Sequence, residues 1–348
     1  MKKTLLFLLF LLLLQACDGA PAQTTPAPAQ VTDTPPTATA EPIIHKIIPE
    51  GGTRSRANAH DHEQTTTFEK KNVIGGDDFR RNQFERPYTA GEMVYLPDLD
   101  IVDFGITSDD QFFFIGIELA WLNSETNDVS GYYGVEIDRN RDGRGEILLA
   151  VRGPYSTEFT ADNVVVMVDQ NGDVGGLKPS RPDEGSTGDG YDGVIFDLSQ
   201  NVHPEDPDLA WVRVIEGERP TVEIAYRKWI FKDGNEVFMW SVWASGQGVE
   251  PGKFNWHDNI TVAEAGSPNK SDPDYPIKGI AELDNSCRVP LGFDAVGNEP
   301  LGCSVQVQQV EVEGDPVEFC DQFASVCARS PVILRPAPIF QRIVPNPQ

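Results

Sequence analysis

LDIVDFGITSDDQFFFIGIELA, at residues 99–120, carries the clearest indication of the fold of this chain. Two runs of β-branched and aromatic residues flank the polar segment SDDQ, a pattern that is typical of two neighbouring β-strands. Phe112 and Phe114 occupy alternate positions in the second run, which predicts a strand with one half-buried face. The stretch therefore indicates a β-sheet rather than a helix.

The same pattern continues along the chain, where short apolar runs alternate with clusters of Gly, Asp and Asn. No long amphipathic helix pattern is evident. This pattern predicts an all-β fold, an antiparallel β-sandwich of the jelly-roll or immunoglobulin-like kind. The predicted strands are residues 93–96, 101–107, 111–121, 131–138, 146–151, 164–169, 194–198, 210–215, 221–226 and 236–244.

Composition excludes some classes of function. The 348 residues include 28 Lys and Arg against 54 Asp and Glu, a formal net charge of −26. Proteins that bind nucleic acid, or that adhere to anionic lipid through a basic face, need positive charge, so we expect neither partner. Because 39% of the residues are hydrophobic, the chain can bury a core and is not wholly disordered.

The N-terminus carries a targeting signal. Lys2 and Lys3 precede an unbroken Leu/Phe run at residues 5–14, and the run ends in Leu-Gln-Ala followed by Cys17. As a helix this run spans about 15 Å, half of the ~30 Å hydrocarbon core of a bilayer, so it predicts a signal peptide and not a membrane span. The order resembles the lipobox of bacterial lipoproteins, which implies that Cys17 is lipidated and becomes the mature N-terminus. The expected location is the bacterial cell envelope, lipid-anchored and extracytoplasmic; a plain secretory signal is the alternative.

We divide the chain into four regions. They are the signal peptide at 1–16, a Pro/Thr/Ala-rich stalk and polar linker at 17–85, the β-sandwich at 86–270, and a Cys-containing extension with a Pro-rich tail at 271–348. Within the linker, His60-Asp61-His62-Glu63 looks like a metal-binding cluster. No predicted helix presents it, so a solvated polar segment is favoured.

The order of elements suggests a family. LDIVDFGITSDDQFFFIGIELA followed by GYYGVEIDRNRDGRGE at residues 131–146 resembles the sandwich of DOMON domains and family-nine carbohydrate-binding modules. The resemblance covers roughly residues 90–245. It implies a β-sandwich that binds sugars or haem or serves as an accessory domain, and it places no ligand residue in this chain.

Residues 138–146, DRNRDGRGE, carry the sharpest chemical signal. Calcium takes six to eight oxygen ligands, and alternate residues of a tight loop can direct their oxygens to one point. The candidate ligands are Asp138, Asn140, Asp142, the carbonyl of Arg144, and Glu146. The pattern matches the first half of an EF-hand loop but follows a strand, and Leu149 stands where the closing Glu would be. We therefore expect a calcium site in a β-turn; an Asx-rich hairpin without metal is the alternative.

Four cysteines besides Cys17 lie near the C-terminus, at Cys287, Cys303, Cys320 and Cys327. An even number in a secreted chain predicts disulfides. We expect the pairs Cys287–Cys303 and Cys320–Cys327, because each closes a short local loop. Zinc is the alternative, but the tight Cys-x2–4-Cys spacing of zinc sites is missing.

Four tryptophans and a tyrosine cluster between residues 226 and 256. In a strand, Trp240 and Trp243 face opposite sides, so one can belong to the core and the other can stack on a sugar ring. We expect possible ligand contacts at Trp243, Trp256, His257 and Asp258. Aromatic packing in the core is the alternative.

The chain shows none of the motifs of a nucleophile elbow, a phosphate-binding loop or a dinucleotide site. We therefore expect a non-enzymatic, lipid-anchored extracytoplasmic binding protein that calcium stabilises and whose ligand is a carbohydrate. A structural, adhesion or protein-interaction module without a small-molecule ligand is the first alternative. A hydrolase whose site is not evident from the sequence is the second.

Overall fold

The computed structural model describes residues 43–53, 59–174, 190–203, 206–231, 234–248, 254, 256 and 260–303, and the backbone of two later strands. The fold is mostly β, with two antiparallel sheets packed together, as the sequence predicts. The signal peptide, Cys17 and the stalk up to residue 42 lie outside the described residues. Within the described part of the chain, no helix is long and apolar enough to cross a membrane.

The regular structure of the described residues includes fifteen strands, one short α-helix, α1 (Val262–Ala265), and three 3₁₀-helices at Phe68–Lys70, Leu198–Gln200 and Lys228–Ile230. The strands are β1 (Ala59–His60), β2 (Glu85–Arg86), β3 (Ile101–Ser108), β4 (Phe112–Leu119), β5 (Tyr132–Asp138), β6 (Ile147–Val151), β7 (Val164–Val168), β8 (Gly193–Asp197), β9 (Ala210–Ile215), β10 (Thr221–Arg227), β11 (Phe238–Ser245), β12 (Leu283–Asn285), β13 (Val289–Leu291), β14 (Val307–Glu311) and β15 (Ile339–Ile343).

The smaller sheet has the strand order β1-β3-β4-β10-β9. The larger sheet has the order β2-β12-β11-β5-β6-β7-β8, with β13 paired to β11 as well. β14 and β15 form a separate two-stranded ribbon. Side chains from both sheets form one core; Phe104 of the smaller sheet, for example, packs edge-on against Trp240 of the larger sheet at 5.5 Å between ring centroids.

Two local predictions differ from the structure. Residues 93–96 form no strand: Met93 adopts a left-handed backbone conformation with φ 58°, and the segment makes one isolated antiparallel bridge, between Tyr95 and Tyr88. Met93 and Tyr95 pack into a small cluster with Tyr88, Leu96 packs against the main core, and Val94 is exposed. Strand β4 is buried on both faces, because it lies centrally in its sheet and residues 51–53 cover its outer face: a Cβ at Gly51 would come within 2.7 Å of the Phe114 ring.

The polar linker predicted up to residue 85 lies partly inside the folded body. β1 pairs with β3, and the side chains of Gln64 and Phe84 are fully buried. The amide of Gln64 donates to the carbonyls of His62 and Ile74 at 2.9 Å. A polar segment can be buried when its groups find such partners, and composition alone does not reveal them.

The predicted disulfide Cys287–Cys303 is present, with its Cα atoms 4.9 Å apart. It lies beside β13, so the predicted C-terminal extension contributes strands to the larger sheet. Cys320 and Cys327 lie outside the described residues.

Candidate functional site

The predicted calcium loop, residues 138–146, connects β5 to β6 in the larger sheet. Asp138 is the last residue of β5 and is fully buried. Arg141 and Gly143 adopt left-handed backbone conformations, with φ of 65° and 95°. Glycine adopts such a conformation without steric penalty, and the chain reverses here to bring Glu146 back beside Asp138.

Backbone amides fix the orientation of the carboxylates in this loop. Asp138 accepts from the N–H of Arg141 at 2.6 Å and of Gly143 at 2.9 Å. Asn140 accepts from the N–H of Asp142 at 2.8 Å, and Asp142 from that of Arg144 at 2.9 Å. The guanidinium of Arg144 lies 3.3 Å from the carbonyl of Gly172. These bonds form an Asx-type turn and set the loop conformation without a metal.

Asp138, Asp142 and Glu146 each offer one oxygen, and these three oxygens lie within 4.8 Å of one another. Burial raises the pKa of Glu146 to about 7, and the charges of Asp138 and Asp142 add to this rise. Hydrogen bonds from the loop to Glu146 act in the opposite direction. Burial also raises the pKa of Asp138, and Arg288 opposes that rise. The three carboxylates thus repel one another, and a divalent cation would relieve this repulsion.

Arg288 supplies positive charge beneath the loop. Its guanidinium donates to Asp138 at 2.7 Å and to Glu136 at 2.9 Å, and all three side chains are buried. The hydroxyl of Tyr191 donates to the same oxygen of Glu136 at 2.8 Å. Because Arg288 follows Cys287 in the chain, the disulfide anchors the segment that neutralises this part of the loop.

A second carboxylate cluster was not predicted from the sequence. It consists of Asp61, Glu85, Asp100 and Asp284, which we call the acid cluster. Oxygens of Asp61, Glu85 and Asp284 lie within 4.8 Å of one another. Asp100 joins them through its charge, which raises the pKa of Glu85 and of Asp284 in addition to the larger effect of their burial.

The tryptophans fall on two faces of β11, as predicted. Trp240 belongs to the core between the sheets, and Trp243 to an aromatic cluster on the outer face of the larger sheet. The Trp243 ring lies against Gly134, its cross-strand partner, and Phe254 covers it, so that it is only 2% exposed. Trp256 packs on Phe254 at 5.1 Å and is half-buried. His257 and Asp258 lie outside the described residues.

The outer-face cluster therefore offers only part of the surface that sugar stacking needs. The ring of Trp243 is closed to solvent by Phe254 and by Gly134, and only Trp256 presents part of its ring. Near it, Tyr132 is also half-buried and packs against the same cluster.

The acid cluster escaped prediction because its members are far apart in the chain. Asp61 belongs to the His60-Asp61-His62-Glu63 stretch that looked like a metal cluster, and this was the one available signal. Of that stretch, Asp61 lies in the acid cluster, whereas the side chain of His62 is exposed. Pairing of β1 with β3 and of β2 with β12 brings the four acids together.

Comparison with known proteins identifies no relative: no protein-family model, no curated protein and no solved structure matches the chain.

Proposed function

We propose that the chain is a lipid-anchored, extracytoplasmic β-sandwich binding module whose loop at residues 138–146 binds calcium. The observation that carries the calcium proposal is the convergence of Asp138, Asp142 and Glu146, whose oxygens lie within 4.8 Å of one another. The lipobox-like order around Cys17 carries the proposed anchor and location.

The ligand chemistry favours calcium over other cations. The three acids that converge, Asp138, Asp142 and Glu146, offer carboxylate oxygens, hard ligands that Ca²⁺ binds at about 2.3–2.6 Å. The loop also holds no Cys or His, the ligands that zinc and copper favour. The amides of Arg141 and Gly143 already orient Asp138, so binding needs little rearrangement of the backbone.

Arg288 limits the affinity of this loop. Its guanidinium occupies one oxygen of Asp138 at 2.7 Å, so the metal must share that carboxylate with a fixed positive charge. We therefore expect a dissociation constant of about 10⁻⁴–10⁻³ M, the range of extracellular calcium modules. Such a site is filled outside the cell and stays vacant at cytosolic calcium levels.

Carbohydrate is the proposed ligand class. Trp256 and Tyr132, which are half-buried at the outer-face aromatic cluster, support this proposal. The exposed part of an aromatic ring offers a flat apolar face on which a sugar ring can stack. If the protein is instead a protein-interaction module, glycans should not bind. If it is a hydrolase, members of a glycan or ester panel should be turned over.

Calorimetric titration of the chelator-treated, full-length protein in non-ionic detergent tests the calcium proposal. Wild-type protein should show a calcium-binding phase near about 10⁻⁴–10⁻³ M, and Asp142→Ala should lose it. Asp110→Asn, which removes an exposed carboxylate from the β3–β4 turn, is the matched control and should keep it. Persistence of the phase in Asp142→Ala would refute the proposed loop site. Glycan screening with calcium present then tests the ligand class.

A further inference from the structure

We propose that the acid cluster, Asp61, Glu85, Asp100 and Asp284, is a separate calcium site that joins the two sheets of the sandwich. It uses none of the residues of the loop at 138–146, so neither proposal depends on the other.

Three carboxylate oxygens in this cluster lack hydrogen-bond partners. Asp61 Oδ2, Asp100 Oδ1 and Asp284 Oδ1 are each buried and receive no donor. Asp100 and Asp284 are fully buried as whole residues. Buried polar atoms without partners are rare in folded proteins and call for an explanation. A cation held between Asp61, Glu85 and Asp284 explains the free oxygens of Asp61 and Asp284.

The second oxygens of these side chains are well bonded, which fixes the free ones in place. Asp100 Oδ2 accepts from the N–H of Gln64 at 2.8 Å and from the Tyr95 hydroxyl. Asp284 Oδ2 accepts from the N–H of Ile101 at 2.7 Å. Each aspartate thus turns one oxygen to the protein and leaves the other without a donor.

The nearest arginine in sequence does not neutralise the cluster. Arg86 follows Glu85 in β2, and successive residues of a strand point to opposite faces. Its guanidinium pairs with Asp77 at 2.8 Å. The remaining donors go to the carbonyl oxygens of Ala265, Gly266, Gly279 and Ile280. Its charge is therefore engaged on the side away from Glu85.

Burial raises the pKa of every acid in the cluster, for Asp100 to about 7. Mutual repulsion raises the pKa values of Glu85 and Asp284 further. The hydroxyl of Tyr88 is also buried without a partner, and the charges of Asp100, Glu85 and Asp284 add to the burial that raises its pKa.

The three converging carboxylates, with the charge of Asp100 added, form an oxygen-only set that selects a hard divalent cation. Magnesium keeps several waters and is usually held by one or two carboxylates, whereas calcium accepts many protein oxygens in irregular geometry. Calcium therefore fits this set best. Without a neutralising arginine at the site, we expect it to bind more tightly than the loop, in the micromolar range of regulatory calcium sites.

The position of the cluster gives the cation a structural role. Asp61 directly follows β1 and Asp100 directly precedes β3, and both strands belong to the smaller sheet. Glu85 in β2 and Asp284 in β12 belong to the larger sheet. A cation bound here cross-links the two sheets and fixes the segment between residues 59 and 100 to the body.

Thermal melting of the full-length protein in detergent tests the site through Asp100→Asn. The asparagine oxygen can keep the bonds from Gln64 and Tyr95, while its amide nitrogen replaces the unpartnered oxygen and donates to the other acids. We therefore expect opposite effects of this change with and without calcium. In chelator the variant should melt above wild type, because it removes one repelling charge. At about 50 µM calcium, a concentration that leaves the proposed loop site mostly unfilled, wild type should rise by about 5–10 °C and the variant should not.

Asp284→Asn replaces another of the free oxygens and can keep the hydrogen bond from the N–H of Ile101. We therefore expect it, like Asp100→Asn, to melt above wild type in chelator and to show no rise at about 50 µM calcium. Asp142→Ala should retain the whole 50 µM response, which separates this site from the loop. The proposal is overturned if wild type shows no shift at that concentration, or if both asparagine variants keep the wild-type shift.

Discussion

The guanidinium of Arg288 donates a hydrogen bond to Asp138 Oδ2 at 2.7 Å, and both side chains are almost fully buried. The residue next to Arg288 in the chain, Cys287, is held by the disulfide to Cys303. The segment bearing the disulfide therefore contributes one positive charge to the loop that we propose binds calcium. The same charge stabilises the loop without metal and competes with metal for Asp138.

Replacing Arg288 by Met separates these two effects. Removing the guanidinium leaves Glu136 and Asp138 buried without a counter-charge, so the metal-free protein should lose about 3–5 kcal/mol of unfolding free energy. Calcium should bind the loop more tightly, because its competitor is gone. Chemical denaturation in chelator and calorimetric titration measure the two quantities.

Arg219→Gln is the control for that change. Arg219 pairs with Glu63 at 2.6 Å, but its side chain is 40% exposed, and such surface pairs contribute about 0–1 kcal/mol. An Arg288→Met protein with wild-type calcium affinity would show that the guanidinium does not compete with metal.

Trp243→Ala and Trp256→Ala should have different consequences. Trp243 fills a buried position between Gly134 and Phe254, so its truncation should destabilise the protein by about 3–5 kcal/mol. Trp256 is half-buried, so its truncation should cost less stability but weaken carbohydrate binding. Denaturation curves and glycan-array binding of the two variants provide the comparison. Unchanged glycan binding in Trp256→Ala would remove the outer-face cluster as the binding surface.

In chelator, the acid cluster should make stability fall as pH rises. Burial raises the pKa of Asp100 from 3.8 to about 7, so the folded state holds a proton that the unfolded chain has released. The stability from this group is therefore complete below pH 3.8 and is lost progressively as pH rises to about 7. Burial, with repulsion within the cluster added, also raises the pKa values of Glu85 and Asp284, so these groups shift stability with pH in the same direction.

Unfolding curves of chelated wild type and Asp100→Asn between pH 5 and pH 8 measure this dependence. The gap between the two proteins should widen in favour of the variant toward pH 8. A gap that stays constant over this range would show that Asp100 titrates like an exposed carboxyl group.

Cys17→Ala tests the proposed anchor. The lipobox-like sequence predicts that radiolabelled fatty acid is incorporated into the wild-type chain during expression in bacteria. The variant should carry no label and should leave the membrane fraction. Wild-type protein that carries no label would favour a plain secretory signal.

Sequence predicted the sandwich because alternating apolar runs depend only on neighbours in the chain. Nine of the ten predicted strands match observed ones, and the exception, at 93–96, makes only an isolated bridge to Tyr88. The loop at 138–146 was equally visible, because all its oxygens lie within nine consecutive residues. The pair Cys287–Cys303 could be predicted for the same reason.

The acid cluster and Arg288 depend instead on contacts between distant segments. Nothing local to Asp61 or Asp284 indicates that strand pairing will bury them together. The burial of Trp243 likewise depends on Gly134 across the strand and on Phe254 from a later segment. The sequence predicted that Trp240 and Trp243 lie on opposite faces of the strand but not that the face bearing Trp243 is covered.

Anomalous diffraction from crystals grown with about 10 mM calcium, well above the expected dissociation constant of the loop, tests the proposed calcium binding most directly. We expect a peak about 2.3–2.6 Å from oxygens of Asp138, Asp142 and Glu146, and a second, stronger peak in the acid cluster. A map without a peak at the loop, with Arg288 still bonded to Asp138, would contradict the calcium-binding function.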